Sequence, residues 1–148
     1  MPKFRYRMQN ILDIKNKLES QAKIEYSMAN QKYLEEQKKL QEIMLRRASY
    51  EKVLKESITG NIDVHEVMIA RTNVNTMKSI MRTQMIEVHK AEMQLEDARK
   101  KLNDLMIDRK THEKLKEKAF DEFKAELKLE ENKEIDQLVS YEYSTKKE

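Results

Sequence analysis

Gly60 is the only glycine in a chain of 148 residues, and Pro2 is the only proline. Because these two residue types punctuate chain direction, the chain has one obvious place to turn. The sequence before Thr59 reads as one helix and the sequence after Asn61 as another. This predicts an all-α fold: two long helices in an antiparallel coiled-coil hairpin. The expected bounds are residues 3–58 for the first helix, 59–62 for the turn, 63–139 for the second and 140–148 for a flexible tail, all in one coiled-coil domain.

Composition supports helices over a globular core. Charged residues make up 39% of the chain, Trp and Cys are absent, and mean hydropathy is -0.92. Such a polar chain would read as disordered if its apolar residues were scattered, but they are spaced. Val67, Val74, Met81, Val88, Leu95 and Leu102 fall seven apart. Ala70, Met77, Gln84, Ala91, Ala98 and Leu105 follow three residues after each. Two rows sustained this way define a coiled-coil seam. Asp63 is placed to cap this helix, with Glu66 as a capping-box partner and Ile62 as a staple onto Val67.

The first helix is less regular. Phe4, Ile11 and Leu18 hold one seven-residue row, and Tyr33, Leu40 and Leu54 another. Leu18, Ala22, Tyr26, Ala29 and Tyr33 join them through a stutter, which unwinds a supercoil locally. A short turn sets Leu40 near Met81 and Phe4 near Glu117. The second helix then projects about 30 Å beyond the first, at about 1.5 Å per residue. Phe120, Phe123, Leu127, Ile135 and Leu138 on this overhang have no partner in the hairpin, which suggests an interface.

Nearer the turn, Leu40, Ile43, Met44, Tyr50, Leu54 and Ile58 form a stripe wider than a two-helix seam covers. Met68, Ile69, Met77, Ile80, Met81, Met85 and Ile86 lie opposite. Part of this surface is expected to accept a third element, and Met side chains adapt readily to partners.

Thirty basic and 27 acidic residues are interleaved, so no strong field for nucleic acid is expected. Lys3, Arg5 and Arg7 form a basic N-terminus, while residues 121–148 carry nine acids against five bases. No apolar stretch approaches the roughly 20 residues of a membrane span, and no signal-peptide core is evident. A cytoplasmic protein is expected. His65, His89 and His112 lie too far apart along two helices to share a metal. With no converging groups and no water-excluding cavity, no enzyme activity, cofactor or small-molecule ligand is expected.

The opening run Phe4-Arg5-Tyr6-Arg7-Met8-Gln9-Asn10-Ile11-Leu12-Asp13-Ile14 resembles the start of the FliJ family of flagellar export proteins. Such chains open with Phe, a basic or aromatic pair, and a Leu/Met-Gln-x-Ile/Val-Leu run into a long charged helix. The length, the single Gly-containing turn before the midpoint, Tyr50 near the end of helix one and the longer second helix extend the resemblance over the whole chain. Val74 and Met77 depart from it, standing where bulkier side chains are common.

The resemblance implies a component of the flagellar type III export apparatus at the cytoplasmic face of the membrane. It would be a stalk-like partner of the hexameric export ATPase that contacts the export gate and escorts export chaperones. On this reading Ile43, Tyr50, Met77 and Ile80 face the export gate, and Phe120, Phe123, Leu127, Ile135 and Leu138 face the ATPase ring. A generic coiled-coil scaffold with no ATPase role is the alternative.

Overall fold

The computed structural model describes residues 2–146. Two helices account for nearly all of them: α1 (Gln9–Ser57) and α2 (Val64–Lys146), of 49 and 83 residues. They form an antiparallel hairpin with the second helix longer. Gly60 sits in the turn with φ of 80° and open space around its Cα. That left-handed conformation costs an L side chain about 1–2 kcal/mol, so the need for glycine here is conformational, not steric. The Thr59 amide donates to the Glu56 carbonyl at 3.2 Å and closes the end of α1. Asp63 caps α2, its Oδ1 accepting from the His65 amide at 3.0 Å.

Both helices depart from their expected bounds. α2 remains helical through Lys146, past Val139 and into the stretch expected to form a tail; residues 147–148 of that tail lie outside the described residues. α1 begins at Gln9 instead of near Lys3. Lys3, Arg5 and Arg7 put positive charge where a helix N-terminus disfavours it, and the first turn of α1 carries no acid to compensate.

The described residues fall into two compact units, 2–20 with 104–146, and 21–103. In the second unit α1 contributes Ala22, Tyr26, Ala29, Tyr33, Glu36, Leu40, Ile43, Arg47, Leu54 and Ser57 at alternating buried or half-buried positions. α2 contributes Val67, Ala70, Val74, Met77, Met81, Gln84, Val88, Ala91, Leu95, Ala98 and Leu102 on the same pattern. Alanines at 22, 70 and 91 are among the most buried of these. In the first unit Leu12, Lys15 and Glu19 of α1 are covered, together with Leu105, Arg109, His112, Lys116, Ala119 and Phe123 of α2.

These positions overturn the stutter expected in α1. Steps of three and four alternate from Leu12 to Ser57, with only position 50 exposed. Ile11 and Leu18, which suggested the break, are each 37% exposed and stand beside the seam. The true positions are polar (Lys15, Glu19, Glu36 and Arg47), and each reaches a partner across the seam or along its helix.

Candidate interaction site

The residues of the covered seam are charged or amide-bearing at several places, and their pairing is specific. In the second unit the Gln84 amide donates to the Glu36 carboxylate at 2.6 Å and to the Glu36 carbonyl at 2.9 Å. That donation, aided by Lys39 against partial desolvation, holds the Glu36 carboxyl below its usual range. Lys101 donates to Glu25 at 3.0 Å. In the first unit Arg109 joins buried Glu19 on α1 to Glu113 on its own helix. Lys15 meets Asp108 at 2.6 Å.

The Lys15 hydrogen bond, opposed by desolvation and reinforced by the charge of Lys15 and His112, depresses the Asp108 pKa. A carboxyl depressed in the folded state stabilises it above the unfolded value of about 3.9. The contribution is then lost as pH falls through the folded pKa. Between about pH 5 and pH 3, stability by urea unfolding should therefore fall less steeply in Asp108→Asn than in the parent chain. Equal slopes would show that the Lys15 contact does not bias this carboxyl.

Partner-facing residues proposed from sequence divide by burial. Met77 is 7% exposed and Ile43 half-buried, so both belong to the seam. Met77 therefore offers no face to a third element: its alternating three-and-four spacing with Val74 and Met81 turns it inward. Tyr50 and Ile80 remain exposed. Phe120 and Phe123 are also not free, as their rings lie 5.0 and 5.4 Å from that of Phe4. Phe4 was expected opposite Glu117. It reaches further along α2 because the chain before α1 is not helical, and extended backbone covers about 3.3 Å per residue against 1.5 Å in a helix. Leu127 is half-buried, and every residue from Lys128 to Lys146 is exposed, including Ile135 and Leu138.

The apolar stripe expected on α2 near the turn has a further property that apolar spacing did not show. Between Glu66 and Glu87, α2 carries no acid, in a chain that is 39% charged. Its three bases, Arg71, Lys78 and Arg82, share one side at helical spacing. The face turned away from the seam is Met68, Ile69, Thr72, Thr76, Ser79, Ile80, Thr83 and Ile86, all exposed. Thr72 and Thr83 donate their hydroxyls to the carbonyls of Met68 and Ser79, which leaves the face still less polar. A shallow groove at its start is lined by His65, Met68, Ile69, Thr72 and Asn73. Counting charges by window, instead of apolar residues by spacing, would have found it.

Among the described residues no cluster of His, Cys, Asp and Glu could hold a metal, and no helix is long and apolar enough to cross a membrane. Two long antiparallel helices whose surfaces are exposed faces and shallow grooves make this a helical coiled-coil protein. The chain belongs to the flagellar FliJ protein family, whose sequence profile matches residues 4–148. Membership makes it a component of flagellar protein export. No curated protein and no solved structure matches it.

Proposed function

We propose that this chain is an adaptor at the cytoplasmic base of the flagellum, with two separate surfaces for two partners. The uncharged outer face of α2, with Ile80 at its centre and Tyr50 on α1, docks the export gate. The exposed end of α2, with Leu127, Ile135 and Leu138, engages the hexameric export ATPase as a stalk. Export chaperones are carried by the same molecule. The observation that carries this reading is the acid-free run of α2 from Val67 to Ile86. A solvated helix of this composition has no reason to exclude acids over so many turns, whereas an apolar partner does.

Two variants of the full chain test it. Tyr50→Ala/Ile80→Ala should weaken gate binding by about 1–3 kcal/mol per residue, with helicity unchanged because both side chains are exposed. A chain ending at Leu127 keeps the Phe4, Phe120 and Phe123 cluster and should fold, yet lose stimulation of ATPase assembly and turnover. Full stimulation by the shortened chain would leave a plain scaffold as the better account of this end. Unchanged gate affinity in the double variant would remove the docking face.

A further inference from the structure

The covered row of α2 ends at Phe123, with half-buried Leu127 just beyond it, and the helix runs on to Lys146. At 3.6 residues per turn, Leu127, Leu138 and Tyr141 continue the face that carries Phe120 and Phe123, and Ile135 lies at its edge. Glu130, Glu131, Glu134 and Glu142 fall on that same face, while Lys133 and Asp136 fall behind it and Lys128 at its margin. Phe123 and Leu127 are half-buried, and all of these residues from Lys128 onward are exposed. The result is an apolar row set among four carboxylates.

The first turns of this lane already have an occupant. Phe4, flanked by Lys3 and Arg5, seats its ring on Phe120 and Phe123, in a stretch that includes Asp121, Glu122 and Glu126 and also Lys124, whose ammonium lies 4.5 Å over the Phe120 ring. The chain thus fills the start of the lane with an aromatic side chain flanked by bases. Beyond Phe123 the lane is open.

We infer that the lane from Leu127 to Glu142 takes a basic amphipathic helix of a partner protein, laid end to end with residues 2–8. Apolar side chains of that helix sit between Leu127, Leu138 and Tyr141, and its lysines or arginines meet the four glutamates. A second copy of this chain is disfavoured, because the carboxylates would face one another. An anionic membrane is disfavoured for the same reason. The inference names the chemistry of the occupant for the end assigned above to the ATPase, and rests on that end being an interface.

The probe is a fluorescein-labelled Leu/Lys peptide of about four helical turns, with a scrambled peptide of equal composition as control, titrated by anisotropy against the full chain. The amphipathic peptide should bind about tenfold more tightly than the scrambled one. Leu127→Asn/Leu138→Asn and Glu130→Gln/Glu131→Gln/Glu134→Gln should each lose about tenfold, with the helical signal retained since these side chains lie outside the packed seam. Equal binding of both peptides, or no effect of the leucine changes, would reduce the site to non-specific charge and overturn the inference. Self-association abolished by the leucine changes, or sedimentation with anionic phosphatidylserine vesicles, would overturn it in favour of those occupants. If the peptide fails to bind while the chain ending at Leu127 has lost ATPase stimulation, the occupant's chemistry is wrong and the ATPase assignment stands.

Discussion

Val74→Asp is expected to unfold the unit formed by residues 21–103. Val74 is 5% exposed, between Ala70 and Met77 on the same covered row. A carboxylate at position 74 would have to compete with Glu51 for Arg47 of the α1 seam, or draw in Arg71 or Lys78 from the flank of α2. An uncompensated buried charge costs about 3–5 kcal/mol, a large part of the 5–15 kcal/mol that holds a typical domain together. Ile69→Asp is the matched control. It introduces the same group five residues earlier on the same helix, at a side chain that is 49% exposed, and should change the urea midpoint little. If the two variants unfold alike, the seam has been drawn on the wrong face of α2.

The second large effect concerns Glu19 and Arg109. Glu19 is 4% exposed and receives the Arg109 guanidinium, which also donates to Glu113 at 2.8 Å. Removing one partner leaves the other charge covered and underpaired, whereas replacing both with apolar groups of similar volume is often neutral. Arg109→Leu should therefore lower the thermal midpoint markedly, and Glu19→Leu/Arg109→Leu should recover most of the loss. A double variant as weak as the single one would show that the pair adds net stability beyond its own desolvation. Thermal unfolding followed by circular dichroism reads both outcomes.

The two helices were not equally legible in the sequence. α2 could be read over six heptads because its seam rows are nearly all apolar there, from Val67 to Leu105. α1 could not, because Lys15, Glu19, Glu36 and Arg47 stand at seam positions while Ile11 and Leu18 stand beside them. A search for apolar spacing follows the decoys and reports a break. The turn was legible through Gly60, whose positive φ demands that residue type. The pairing of Phe4 was hidden, since it depends on extended backbone before Gln9, and spacing cannot say where a helix will fail to start. The interaction surfaces were half legible: Tyr50 and Ile80 are exposed, but Met77 is core, and the acid-free face of α2 is an absence that apolar periodicity does not register.

The Glu36–Gln84 pair bears on how the hairpin closes. A coiled-coil seam repeats every seven residues, so α2 could slide one heptad along α1 and still bury aliphatic side chains. Such a slide would bring Met77 or Ala91 to the carboxylate of Glu36, and neither has a proton to donate. The misaligned hairpin would thus leave the Glu36 carboxylate with Lys39 as its partner and no donor from α2, about three heptads from the turn. Errors of alignment are penalised within the first heptads to zip, before the long remainder of either helix has been committed.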